Sequence, residues 1–200
     1  MLEWLTGSGL AAAAGLNAYI PMIILGVSSR LLDTVNLPTG WAWLENEWVL
    51  SVLGVLLLLE IVADKIPGVD SVNDWIQTIV RPAAGGIVFG SGVGTETATV
   101  SDPEAFMNSD AWVPVVIGIV LSLVVHVGKA LARPAANAVT AGLAAPALST
   151  AEDISSVALS IIAIAFPILV IGALIALTAG LISLAIRRRR RENVSTAPSG

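Results

Sequence analysis

The stretch WVPVVIGIVLSLVVHVGKAL at residues 112–131 decides the fold, because it is a long apolar run that holds only two ionisable side chains. About 20 predominantly apolar residues are enough for a helix to cross the hydrocarbon core of a bilayer. His126 and Lys129 lie within the run, and on insertion scales a charge at that depth costs about 2.5–3.5 kcal/mol unless it is paired or hydrated. The stretch therefore predicts a membrane helix that carries a charged site.

The composition of the whole chain has the same character. Of the 200 residues, 56% are apolar and 12% are charged, whereas about 25% of a soluble domain is charged. The chain contains no cysteine and one histidine, which excludes a disulfide framework, a thiolate zinc site and a His-rich metal site. We therefore predict an all-α polytopic membrane helix bundle with no cofactor, no metal and no nucleic-acid partner.

The hydrophobic pattern predicts a single transmembrane domain over residues 1–191 and a disordered cytoplasmic tail over 192–200. Two of its segments are short and rich in Gly and Ala, so they either cross as tightly packed helices or are re-entrant. Pro167 predicts a kink or break in the last segment. The predicted segments are about 5–27, 48–65, 82–94, 112–131, 134–148 and 154–186, with an interfacial helix at about 70–80.

The basic residues predict the orientation, because lysine and arginine concentrate on the cytoplasmic side. With about six crossings and both termini in the cytoplasm, nine of the ten basic residues lie inside, and only Arg30 does not. We therefore predict a multi-pass protein of the cell (inner) membrane and leave a homo-oligomer open. Five arginines near the C-terminus should anchor this topology and contact anionic lipid: Arg187, Arg188, Arg189, Arg190 and Arg191.

An offset of 64 residues suggests an internal repeat of a helical hairpin. It places Trp48 on Trp112 and Lys65 on Lys129, and the string RPAA occurs at both 81–84 and 133–136. We therefore predict that the second and third segments overlay the fourth and fifth. Duplicated membrane folds often place substrate sites at the repeat interface.

Charged and amide side chains inside the apolar segments are the candidate functional residues. Glu60 and Asp64 share a helix face, as do His126, Lys129 and Arg133. We expect the acidic face to lie within reach of the basic one. The predicted substrate or ion pathway comprises Asn17, Glu60, Asp64, His126, Lys129 and Asn137, and the predicted supporting charge network comprises Lys65, Asp70, Arg81 and Arg133.

Structural roles compete with this hypothesis at several positions. Long basic side chains such as Lys65 and Lys129 can pair helices and extend to the membrane interface. An asparagine such as Asn17 either hydrogen-bonds across helices or marks a broken helix whose carbonyls line a polar cavity. Glu152 and Asp153 follow a possible capping box and are expected at a helix N-terminus.

Four strings resemble a family of small membrane proteins, found in bacteria and plants, that is known only as a domain of unknown function. They are GLNAYIP at 15–21, LEIVADKIPGVDSVNDWIQTIVRP at 59–82, HVGKALARPAANA at 126–138 and STAEDISS at 149–156. The resemblance implies no activity. It implies that the family pattern includes Asn17, Glu60, Asp64, Lys65, Pro67, Asp70, Arg81, His126, Lys129, Arg133 and Asn137.

The favoured hypothesis is a small transporter or permease for a small polar or anionic solute or a lipid headgroup. Glu60 or His126 could carry a coupling proton, because histidine titrates near neutral pH and a desolvated carboxyl can do so too. The first alternative is a scaffold or assembly factor in which the charges only pair helices. A weaker alternative is a lipid-headgroup enzyme that uses His126 as a base.

Overall fold

In the part of the chain that the structure describes, every element of regular secondary structure is a helix, which confirms the predicted all-α class there. The computed structural model describes residues 1–64, 69–93, 110–140, 144–176 and 178–179. Its elements are α1 (Leu2–Leu16), α2 (Tyr19–Leu31), a 3-10 helix (Thr39–Glu45), α3 (Glu47–Ala63), α4 (Val69–Gly92), α5 (Trp112–Thr140) and α6 (Ala144–Ala165). A further helical stretch covers 169–176, so α6 is interrupted around Pro167 as predicted.

The first predicted segment is two helices, α1 and α2, with a break at Asn17. Pro21 accounts for the break, because in a continuous helix its ring would collide with the carbonyl of residue 17 and it has no N–H to donate. Asn17 is extended, with φ −145° and ψ 126°. Its Oδ1 accepts hydrogen bonds from the backbone N–H groups of Tyr19 and Ile20, at 3.0 and 3.2 Å, and so caps α2.

The predicted boundaries at the two Arg-Pro pairs are wrong. The interfacial helix predicted at 70–80 and the segment predicted at 82–94 form one helix, α4, with Pro82 inside it. The pair at 133–134 likewise lies inside α5. A proline removes one backbone hydrogen bond, and in α4 close packing of the next turn against α5 compensates for that loss.

The internal repeat is not confirmed by these helices. The predicted first copy contains the boundary between α3 and α4, whereas the corresponding residues of the second copy lie within the continuous helix α5. The end of the fifth predicted segment belongs to α6. The two copies therefore differ in layout before the RPAA strings, although each string lies inside a helix.

Helix α1 lies at the centre and packs against α4, α5 and α6. Leu10 and the four alanines that follow it are fully enclosed. Glycines allow the neighbouring helices to approach the backbone. A Cβ at Gly9 would lie 2.6 Å from the Cβ of Ala163 in α6, and a Cβ at Gly15 would lie 2.6 Å from the carbonyl oxygen of Ser122 in α5.

The outer surface is apolar, and two of the described helices are long and apolar enough to span a membrane. These are Trp112–Leu131 within α5 and Pro146–Ala165 within α6. The 3-10 helix and α3, which meet at a 61° bend, would add a third span if they form one. Length and composition thus support membrane association through two or three spans, and the prediction of about six crossings is not supported.

The contact between α4 and α5 provides a test of this packing. A Cβ at Gly118 would collide with the carbonyl oxygen of Gly85, and overpacking of this kind costs about 1–3 kcal/mol. We therefore expect Gly118→Ala to lower the midpoint of thermal unfolding in detergent. The matched control is Gly54→Ala in α3, where a Cβ meets no atom within 4 Å and alanine favours the helix. Equal midpoints for the two variants would contradict the close helix contact.

Candidate functional site: a polar cluster at the helix break

The interior of the protein contains many polar and charged side chains, whereas its outer surface is apolar. The buried polar and charged side chains include Asn17, Glu60, Asp64, Gln77, Arg81, Ser122, His126, Lys129, Ser149 and Ser156. Asn17, Glu60, Asp64, His126 and Lys129 were predicted site residues, and all of them lie in the interior. Ionisable groups in membrane helices face the interior in this way because lipid cannot solvate them.

The strongest interaction of the interior is an ion pair between Glu60 and Arg81. Near the end of α3, the Oε1 atom of Glu60 accepts a hydrogen bond from Nη2 of Arg81 in α4 at 2.8 Å. The two side chains are 2% and 1% exposed. We expected Lys129, Arg133 or His126 near this carboxylate. Its ion-pair partner is instead Arg81, which the sequence assigned to the supporting network.

His126 extends this pair toward the surface. Its Nδ1 lies 3.5 Å from Nη1 of Arg81, and its Nε2 lies 3.1 Å from Oγ1 of Thr78. Thr78 is exposed. Because an arginine nitrogen can only donate, the first contact is satisfied when Nδ1 accepts and the ring is neutral. A chain of polar contacts therefore leads from exposed Thr78 to buried Glu60.

Three buried atoms around the ion pair have no hydrogen-bond partner among the described residues. They are Oε2 of Glu60, Oε1 of Gln77 and Nε of Arg81. Gln77 lies one helical turn before Arg81 and within hydrogen-bonding reach of the Tyr19 hydroxyl. A buried polar atom without a partner costs about 1–3 kcal/mol. We refer to Tyr19, Glu60, Gln77, Arg81 and His126 as the central cluster.

The carbonyls released by the helix break bind the two buried cations. The carbonyl oxygen of Gly15 accepts from Arg81 Nη1 at 3.5 Å, and that of Leu16 accepts from Lys129 Nζ at 3.2 Å. The C-terminal end of a helix carries partial negative charge, so cations are stabilised there. The break at Asn17 thereby holds α4 and α5 at the end of α1.

Two acidic residues of α6 also contact the buried polar side chains, and their predicted position at a helix N-terminus is wrong. Glu152 pairs with Lys129 at 2.7 Å, and Oδ1 of Asp153 accepts from Nδ2 of Asn17 at 2.9 Å. We expected both acids at a helix N-terminus, but α6 begins eight residues before Glu152, at Ala144. The available signal was an acidic pair inside an otherwise apolar helix, which calls for partners.

The same ion pair contradicts part of the predicted topology. The six-crossing arrangement placed Lys129 on the cytoplasmic side and Glu152 outside. Their atoms are 2.7 Å apart, so the two residues do not lie on opposite sides, and a crossing between them is not supported. The described residues of the fifth predicted segment are instead the end of α5 and the start of α6.

Asp64 lies apart from the ion pair and connects three helices. One of its oxygens accepts from Nδ2 of Asn73 in α4 at 2.8 Å, and the other accepts from Oγ of Ser149 in α6 at 3.0 Å. The remaining predicted residues fall outside the described part of the structure. They are Lys65, Arg187, Arg188, Arg189, Arg190 and Arg191, and the side chains of Asp70, Arg133 and Asn137.

The described residues contain no group of three or more His, Cys, Asp or Glu side chains that could hold a metal ion. The described contacts of the interior are hydrogen bonds and ion pairs, and several of them converge on the end of α1.

The family described as Domain of unknown function (DUF4126) matches residues 4–188. The chain belongs to this family. No curated protein and no solved structure matches the chain. The match includes every residue of the central cluster and both acids of α6, so the interior network lies within the family domain.

The Lys129–Glu152 pair should contribute far more to stability than a surface pair does. Removing one partner of a buried pair costs about 3–5 kcal/mol, so Lys129→Ala should strongly lower the thermal midpoint and the yield of folded protein. Arg30→Ala is the matched control, because Arg30 and Glu47 are 2.7 Å apart but 37% and 78% exposed, and exposed pairs contribute little. Similar losses for the two variants would show that the buried pair is not a structural link.

Proposed function

We propose that the protein is a small multi-pass membrane transporter or permease whose binding groups are the central cluster. The observation that carries this proposal is the set of three enclosed polar atoms without partners, beside a helix break. Broken helices in transporters place free backbone groups and polar side chains at substrate sites. Stable packing alone would favour satisfying such atoms or replacing them by apolar groups.

A proton-coupled cycle is compatible with the groups present. Protonation of Glu60 would release Arg81 from its ion pair, and His126 lies between Arg81 and exposed Thr78. Glu60 and His126 are therefore the proposed proton carriers. In the same proposal, the protein lies in the cell membrane, and the C-terminal arginines are cytoplasmic and contact anionic lipid.

A scaffold is the second candidate, and a specific observation favours it. Glu152, Asp153 and Ser149 connect α6 to α5, to the helix break and to α3, respectively. Each of these contacts pairs a donor with an acceptor, as expected for side chains that only hold helices together. The two candidates differ in whether water ever reaches the central cluster.

Cysteine accessibility separates the two functions without knowledge of the solute. The chain has no native cysteine, and Ser122 is fully buried, with its Oγ donating to the carbonyl oxygen of Arg81 at 2.7 Å. A transporter must expose this region to water during its cycle. We therefore expect Ser122→Cys, in proteoliposomes, to react with a small membrane-impermeant methanethiosulfonate reagent.

Two variants calibrate the reaction. Ser160→Cys is the matched negative control, because Ser160 is also fully buried, and its Oγ donates to the backbone of its own helix, at Ser156. Asn36→Cys, at an exposed position between α2 and the 3-10 helix, sets the rate of full labelling. If Ser122→Cys is as protected as Ser160→Cys, the scaffold is the better description.

A further inference from the structure

We propose that the central cluster selects a small neutral solute that presents both hydrogen-bond donors and an acceptor, such as an amide, and rejects anions and cations of the same shape. The inference rests on the proposed function and specifies its substrate class. It narrows the range that the sequence suggested, which included anionic solutes and lipid headgroups.

The unpartnered atoms define the complementary ligand. Oε2 of Glu60 and Oε1 of Gln77 are acceptors, and the N–H at Nε of Arg81 is a donor. A solute that fits all three must donate to the two oxygens and accept from the nitrogen. An amide group does this, because its N–H bonds donate and its carbonyl oxygen accepts.

The charges of the same residues argue against an ion. Glu60 and Arg81 neutralise each other across 2.8 Å, while Tyr19 and Gln77 carry no charge. A carboxylate could accept from Arg81 Nε but would face the free oxygen of Glu60. A cation would face the guanidinium of Arg81. Either would add an unmatched charge to a site shielded from water, which is strongly unfavourable.

The surrounding charges do not reverse this preference. Asp153 accepts from the Asn17 amide, Asp64 accepts from Asn73 and Ser149, and Lys129 is paired with Glu152. The carboxylates of Asp64 and Asp153 also repel an anion, and the guanidinium of Arg81 still repels a cation. A neutral solute is repelled neither by these carboxylates nor by the guanidinium.

Entry to the site requires a helix movement, because the three atoms are enclosed in this conformation. Thr78 marks where these polar contacts reach the surface, so the proposed route to the cluster opens next to this part of α4. The proposal therefore describes an occluded site that a neutral solute reaches when α4 and its neighbours separate.

Three molecules of one shape test the selectivity. Acetamide is neutral, acetate is its anionic counterpart and acetamidinium its cationic counterpart, and each has a methyl group. Saturation-transfer difference NMR on the full chain in lipid nanodiscs, at neutral pH and constant salt, detects weak binding through that methyl signal. We expect wild-type protein to give a severalfold larger signal with acetamide than with either ion.

Substitutions at the cluster should change the preference in a defined direction. Glu60→Gln leaves the positive charge of Arg81 unmatched, so the preference should move from acetamide to acetate. Gln77→Leu removes one acceptor and should weaken the acetamide signal severalfold without favouring acetate, and it keeps the test decisive if Glu60→Gln does not fold. Glu47→Gln, at an exposed carboxylate of the surface pair, is the control and should match wild type.

Each other outcome overturns the inference. Wild-type protein could instead prefer acetate or acetamidinium, and Gln77→Leu could abolish that preference. This result would be compatible with the proposed transporter but would show that its solute is an ion. If acetamide gives no signal, or one that Gln77→Leu does not weaken, the unpartnered atoms bind water alone and the neutral-solute site is refuted. Protection of Ser122→Cys from labelling would instead refute the proposed transporter function itself.

Discussion

The break in the backbone at Asn17 is the constraint on which the rest of the structure depends. Pro21 prevents a continuous helix, so α1 ends with free carbonyls in the middle of the protein. Those carbonyls need donors, and the donors are the two buried cations, Arg81 and Lys129. Each cation in turn needs an acid, which α3 supplies as Glu60 and α6 as Glu152. One unsatisfied helix end thus determines the contacts of four helices.

An apolar exterior makes such a polar interior compatible with a stable fold. Large apolar side chains cover the outer faces of α3, α5 and α6, where a soluble protein would be charged. In a bilayer these faces have no free-energy cost of exposure, because lipid is as apolar as they are. Specificity between helices therefore comes from glycine contacts, which join α1 to its neighbours and α4 to α5, and from the ion pairs near the end of α1.

Local features of the fold were predictable from the sequence, and long-range partners were not. The interruption at Pro167 follows from proline chemistry, and the burial of Glu60 and His126 follows from the cost of a charge in lipid. The break at Asn17 was one of two alternatives that the sequence left open. Periodicity identifies the face of a helix but not the helix that it meets, so Arg81 was not recognised as the partner of Glu60. Pro82 was taken as a helix start because a sequence shows the hydrogen bond that proline removes but not the packing that compensates for it.

The enclosure of α1 has a consequence for the dynamics of the protein. Its alanines and glycines hold three neighbouring helices at backbone distance, and these short side chains cannot make room by changing rotamer. Close-packed interfaces of this kind switch between discrete arrangements rather than deform gradually. We therefore expect that access to the interior would need a concerted rearrangement of whole helices, on the microsecond-to-millisecond scale of collective motions rather than the nanosecond scale of side chains.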